Sequence, residues 1–293
     1  MANGWGIDPG RGAVRRGRDV CCGDKGSERM LKDFFLLLHE LTYLPLPQRF
    51  LADRSRLPKA MRFLPLLGLL AGAVIFWTAR LAVVMPRSGA AALLVGVNLL
   101  VGGAFLLRDL IRVADGLTPW QGQALEQERA FPDPDQPLDS NEAEIRAKER
   151  RFNAGKAGMV WGLVWLLGLF LVYYSLIQEP ERKQYALIAA PLTARWLASW
   201  LIYAFPAFVP GELHRGFSRR DFIVSSCLAL AALLPLSRPV LYLAVLISFL
   251  GIYLFAHARQ RSVGALDEIC YGAAAAWGEM LFLLSWLVFQ HFF

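Results

Sequence analysis

A polytopic helical membrane protein is the fold class this sequence predicts, on three observations. Apolar residues make up 56% of its 293 residues and charged residues only 19%, against about 25% charged in an average soluble domain. The apolar residues fall into blocks long enough to cross a hydrocarbon core of about 30 Å at 1.5 Å per residue. Those blocks lack the two-residue alternation of a membrane β-barrel.

The N-terminal stretch MANGWGIDPGRGAVRRGRDVCCGDKGSER is polar and basic. It has no apolar core of the kind a secretory signal needs, and its Gly and Arg content predicts irregular chain over residues 1–29. Asp-Lys-Gly-Ser-Glu-Arg, just before Met30, is readable as an in-frame ribosome-binding stretch, which makes Met30 an alternative start. Residues 30–293 then form a single membrane domain. It opens on LKDFFLLLHELTYLPLP at 31–47, which is amphipathic but too charged to span. The expectation is an interfacial helix stopped by Pro45 and Pro47.

Seven spans follow by apolar run length, at about 62–85, 89–107, 157–177, 185–209, 221–236, 239–256 and 270–290. The fifth is short, fitting a tilted or partly re-entrant segment. Loops alternate in charge. Segments 48–61, 108–156, 210–220 and 257–269 carry the cations, among them Arg49, Arg54, Arg56, Lys59, Arg215, Arg219, Arg220, Arg259 and Arg261. The intervening turns hold only Arg87, then Arg182 with Lys183, then Arg238. The positive-inside rule puts the cationic set in the cytoplasm and the C-terminus outside, in a multi-pass protein of the cytoplasmic (inner) membrane. The net charge of +7 is therefore read as orientation and not as nucleic-acid binding. The four cysteines and four histidines show no metal-ligand spacing.

The loop at 118–156 begins with FPDPDQPLDSNEAE, Pro-rich, acidic and expected to be irregular. It ends with EAEIRAKERRFNAG, expected to be helical, with Glu142 and Arg146 spaced for an i,i+4 pair. No internal repeat is visible. Trp77, Trp120 and Trp286 are read as interface anchors.

Two places invite a functional reading. LLRDLIRVADGLTPW at 106–120 leaves an apolar run through two arginines and two aspartates. It is either a solvated helix end or the rim of a site for a charged substrate. Arg195 and Glu279 each fall near the middle of a span. Charge there is costly and is normally paired or turned toward a polar cavity, so the two are expected to face each other or a shared cavity.

Several stretches together resemble one family. FFLLLHELTYLPLPQR is similar to an opening helix that runs into an "lTrLPvP" turn. FLPLLGLLAG resembles "fPlvGlliG", and GGAFLLRDLIRVADGL stands where "GGlHlDGlaDtaDG" is expected. NAGKAG stands for "RiGxxG", IAAPLTARWLASWLIYAFP resembles a span carrying an "SR" pair, and RSVGALDEICYGAAAAWGEMLFLL aligns on "rklGGvTGDtlGAaiElsEvlvLl". By their order and spacing over residues 33–289 the chain resembles the cobalamin (5′-phosphate) synthases, or adenosylcobinamide-GDP ribazoletransferases.

The resemblance implies a transferase that joins α-ribazole, or its phosphate, to a GDP-activated corrinoid, releases GMP and uses Mg²⁺. Membrane lipid would surround it, and self-association is left open. It implies catalytic roles for Asp115, Asp267 and Glu268, with Asp109, Asp115 and Asp267 as metal ligands. It implies substrate contacts at Gly155, Gly158, Arg195 and Glu279, and Arg108 and Arg112, which depart from the family pattern, are read as further substrate-binding residues.

The sequence also departs from that pattern. Arg108 and Arg112 stand at the first two aspartates, Leu106 at the histidine and Asn153 at an arginine. Asp267, Glu268 and Ile269 replace Thr-Gly-Asp, and Ala276 replaces the first glutamate. Gly264, Gly272, Ala273, Ala274 and Glu279 match. Either the metal site has moved onto Asp109, Asp115, Asp267 and Glu268, or the arginines hold phosphate themselves as bidentate donors. The second case suits a non-catalytic relative that binds a corrinoid or nucleotide or scaffolds other enzymes. A transporter is a further alternative, without a supporting inverted repeat. So is another membrane phosphotransferase, although the ordered motif of the CDP-alcohol type is absent.

Overall fold

A computed structural model describes residues 23–42, 53–116, 140–177, 180–205, 216–236, 238–263, 266 and 268–290. Among them the regular structure is entirely helical: α1 Gly23–Leu41, α2 Leu57–Ala60, α3 Leu64–Leu81, α4 Arg87–Asn98, α5 Ala104–Gly116, α6 Ser140–Ile177, α7 Pro180–Ala204, α8 Arg219–Leu233, α9 Pro239–Val263 and α10 Glu268–Phe289.

Five helical segments are long and apolar enough to cross a membrane: Leu57–Val84, Gly158–Ile177, Tyr185–Ala204, Pro239–Arg261 and Ile269–Phe289. A sixth is possible only if α4 and α5 count as one broken span, since Arg87–Gly102 and Leu106–Asp115 meet at 85°. This corrects the expected seven at two points. The run 89–107 is not one straight helix: a π-helical turn at Leu99–Gly103 breaks it. The fifth expected span is α8, whose 15 residues reach about 22 Å at 1.5 Å each, short of a core of about 30 Å.

α7 sits at the centre. Its span is 78% buried, against 33% for the spans of α3, α6 and α9. It packs most extensively on α3 and α10. Close approach to α3 comes from two glycines. A Cβ on Gly68 would lie 2.5 Å from the carbonyl oxygen of Pro191, and one on Gly72 would lie 2.7 Å from Ile188 Cα. The outer helices turn apolar side chains outward, such as Leu163, Leu167 and Leu171 on α6 and Leu246, Leu250 and Leu254 on α9. Leucine rows open to the surroundings are what a lipid-facing wall requires. Trp77 is exposed in this belt, but Trp286 is buried against Phe282 and anchors no interface. Trp120 lies outside the described residues.

α1 begins at Gly23, inside the stretch expected to be irregular, and an ion pair of 2.6 Å between Lys32 and Glu28 sits one turn along it. Residues 1–22 and 43–50, with Pro45 and Pro47, lie outside the described residues. The helix expected at the end of the long loop is present, and it runs without a break into the third span as α6. The loop before it, 117–139, is outside the described residues.

A buried carboxylate clasps α1 to the bundle. Asp33 is fully buried, and its Oδ2 accepts from Arg56 Nη2 at 3.2 Å and Arg62 Nη2 at 3.3 Å. Arg62 also reaches Asp221 at 3.8 Å, and Asp221 closes a capping box with Ser218 at the start of α8. Burial pushes the Asp33 carboxyl above its ordinary value, against the pull of Arg56, Arg62 and Lys59. The arginines therefore offset the cost of burying this charge without overcoming it. Asp33→Ala removes the shared acceptor, and we expect several-fold faster tryptic cleavage at Arg29 and Lys32 in detergent. An unchanged cleavage rate would show that apolar packing alone holds α1.

Candidate functional site

The end of the bundle closed by α1 contains a cavity of about 500 Å³. Five stretches distant in sequence line it: Glu40 to Thr42 at the C-terminal end of α1, Leu57 to Leu64 around α2, Gly102 to Arg112 on α5 and the turn before it, Arg195 to Ile202 on α7, and Ile269 to Ala275 on α10. The walls are mostly apolar, with Leu106, Met61, Ile202 and Ala275. The polar groups are three guanidinium groups (Arg108, Arg112, Arg195), two carboxylates (Glu40, Asp109) and the Thr42 and Tyr271 hydroxyls. The charge excess is positive.

The arginines reach the cavity in two ways. Arg108 and Arg112 are one turn apart on α5, about 40° around the axis, and both are exposed. Arg195 is only 4% exposed. Its guanidinium lies against the backbone of Gly102, where any Cβ would overlap Nη2. Gly102 is thus a gap through which a buried cation meets the cavity.

Glu279 stands behind Arg195, 1% exposed. Its Oε1 accepts from Asn98 Nδ2 at 2.7 Å, and the Tyr173 hydroxyl is 3.5 Å away. Asn98 also donates to the Tyr173 hydroxyl at 2.9 Å. Arg195 is the cation whose charge reaches Glu279, so the two mid-span charges share one buried polar region, as the sequence predicts. They are coupled through space, with no direct ion pair between them among the described residues.

The acidic residues separate. Asp109 is 2% exposed, pairs with Arg108 Nε at 3.5 Å and presses on Gly272 of α10, where a Cβ would overlap its carboxylate. Asp115 does not line the cavity. Its Oδ1 accepts the Gly158 backbone N–H at 2.6 Å, and a Cβ on Gly158 would lie 2.5 Å from the Ile111 carbonyl oxygen. Gly158 therefore serves the close approach of α6 to α5, and Asp115 fastens that contact. Six residues of helix put Asp109 and Asp115 about 120° apart around the axis, which is why one ion cannot draw on both. Gly155 lies within α6, and Glu268 is the first residue of α10 with a side chain outside the described set. Asp267 is outside the described residues altogether.

Among the described residues no three His, Cys, Asp or Glu side chains gather as a cation site. Mg²⁺ prefers one or two carboxylates together with substrate phosphate. Among the described side chains the carboxylates on the cavity wall are Glu40 and Asp109; Asp109 is already paired with Arg108, and Arg112 and Arg195 add two further cations. The described side chains do not fit this ion, and no chemical step below passes through it.

A cavity built from these edges agrees with the sequence match, in which residues 33–131 and 150–287 fit the family of cobalamin-5-phosphate synthases. The chain belongs to the cobalamin-5-phosphate synthase family. Among curated relatives, one from Vibrio parahaemolyticus is 26% identical over 87% of this chain and 92% of its own length. One from Alkaliphilus oremlandii is 23% identical over 87% of this chain and 96% of its own. A relative from Shewanella frigidimarina is 32% identical, but the match spans 60% of this chain and 61% of the relative. All three are named adenosylcobinamide-GDP ribazoletransferase. No solved structure matches.

For this member of the cobalamin-5-phosphate synthase family, sequence reasoning missed Asn98, Tyr173 and Gly102. Asn98 carried a usable signal, since it is the lone amide in the apolar run GAAALLVGVNLLVGG, and such a group must find a partner inside the membrane. Gly102 carried none, because its role depends on a side chain from another helix.

Proposed function

We propose that the protein is a membrane transferase that joins a GDP-activated cobinamide to α-ribazole or its phosphate and releases GMP. The observation that carries this reading is the cavity itself, where three guanidinium groups from two helices meet two carboxylates inside apolar walls. Family membership and the names of the relatives supply the substrates. A corrinoid is large and partly apolar, which suits such walls next to a bilayer.

In this reading the ribazole oxygen attacks the phosphorus that carries the cobinamide, the bond to the GMP oxygen breaks, and GMP leaves with that electron pair. Arg108, Arg112 and Arg195 hold the phosphate oxygens and stabilise charge as it builds on the leaving group. Asp109 or Glu40, the carboxylates on the cavity wall, accepts the hydroxyl proton. The cavity faces the cytoplasm, where nucleotide substrates are made, and the C-terminus lies outside.

The second reading is a non-catalytic relative that binds a corrinoid or nucleotide. It is favoured by arginines at two positions where the family pattern has aspartates. Purified protein supplied with the GDP-activated corrinoid, α-ribazole and Mg²⁺ separates the two. GMP release, lowered by about 100-fold in Arg112→Ala, supports the transferase. Corrinoid binding without GMP would replace it with the second reading.

A further inference from the structure

We propose that this cavity takes the diphosphate of its ligand on guanidinium groups alone, without a divalent cation. The inference rests on the transferase reading for the identity of the ligand, but it concerns how this chain's own residues hold it. The charge balance is the first argument. Arg108, Arg112 and Arg195 all line the cavity, while Asp109 is engaged by Arg108 and buried against Gly272. Among the described lining residues a divalent ion would meet three cations against two carboxylates, Glu40 and Asp109, of which Asp109 is already held by Arg108. At about 4 Å each such repulsion is worth several kcal/mol even at an effective dielectric near 20. A diphosphate meets the opposite field.

The second argument is that the site is built. A buried arginine is tolerated only when something compensates it. Glu279 does so from behind, held in place by Asn98 and Tyr173. The guanidinium's cavity side opens onto Gly102, where no side chain intervenes and none would fit. A guanidinium set at the floor of a cavity through a glycine gap, with two more on the exposed wall, presents planar forks to the oxygens of a phosphate. Neither Asp115 nor Glu279, the acidic residues that do match the family pattern, lines the cavity. The α5 positions that would supply carboxylates are the two arginines.

The test is GDP binding to the purified full-length protein in detergent, by calorimetry, in EDTA and in Mg²⁺, with guanosine as the control for the base. The expected result is a Kd that differs by less than about threefold between EDTA and Mg²⁺, with guanosine at least about tenfold weaker, as charge-assisted phosphate contacts require. Arg112→Ala and Gly102→Ala should each weaken GDP about tenfold or more in EDTA. The first removes a fork, and the second displaces Arg195 without changing any charge. Arg112 is exposed, so its variant remains informative if Gly102→Ala does not fold.

Loss of binding in EDTA, guanosine binding as tightly as GDP, or a Kd unmoved by both substitutions would each overturn the proposal. Failure of this inference and failure of the transferase reading look different. GMP release together with EDTA-sensitive GDP binding keeps the transferase and ends the proposal. EDTA-resistant binding without GMP release does the reverse.

Discussion

Glu279→Ala is expected to destabilise the protein in detergent by about 3–5 kcal/mol, the usual cost of removing one partner from a buried charge pair. The substitution strands Arg195, 4% exposed, without the anion that compensates it. It also takes from the Asn98 amide the nearer of its two acceptors, at 2.7 Å, and leaves it the Tyr173 hydroxyl at 2.9 Å. Glu279 Oε2 has no hydrogen-bond partner among the described residues. The through-space attraction of Arg195 is therefore what balances that oxygen. Thermal unfolding followed by tryptophan fluorescence should show a fall in Tm of about 10 °C, at 2–4 °C per kcal/mol for a chain of this order of size. Glu279→Gln keeps an acceptor for Asn98 and loses only the charge, so its fall should be smaller. A Tm unchanged in Glu279→Ala would mean that Arg195 is compensated from somewhere else.

Gly68→Val should be nearly as damaging, for a steric reason. Its Cβ would lie 2.5 Å from Pro191 O and 2.7 Å from Leu192 Cα. Both are backbone atoms, so no rotamer change relieves the clash and α3 must part from α7. Overpacking of this kind costs about 1–3 kcal/mol and occasionally more. The effect should travel to the cavity, because Arg195 is one turn beyond Pro191 on the same helix and its Nη1 lies 3.5 Å from the Pro191 carbonyl oxygen. Loss of GDP binding together with a lower Tm is the expected pair of readouts. Gly96→Ala on α4 is the control: nothing lies within 4 Å of a Cβ there, and helix propensity favours alanine over glycine by about 1 kcal/mol. Equal behaviour of the two variants would contradict the packing described for α3 and α7.

Much of this was legible from the chain alone, for identifiable reasons. The spans of α3, α6, α7, α9 and α10 follow from apolar run length, a local property. Arg195 and Glu279 stood out because a charge in mid-span is rare, and the structure buries them in one polar region. The 106–120 stretch posed its question in sequence terms, and the break at Leu99–Gly103 answers it. α5 turns away from α4 at 85°, so its arginines line a cavity and do not merely end a span. The aspartates were harder to place. Asp109 and Asp115 share a short motif, yet helix geometry sends one to α10 and the other to Gly158. Asp33 gave no sign that it would hold α1 to Arg56 and Arg62, since the pairing joins α1 to the short 3-10 turns on either side of α2, 23 and 29 residues away.

Composition and hydropathy by themselves determined that this chain is a bundle of apolar helices with a few costly charges among them. The spacing of its motifs determined the family. Which charges meet was decided only by tertiary packing. Asn98 and Glu279 are 181 residues apart, and nothing in either neighbourhood encodes the other. Hydrophobic run length acts along the chain, whereas a compensated buried charge is a property of the space between helices.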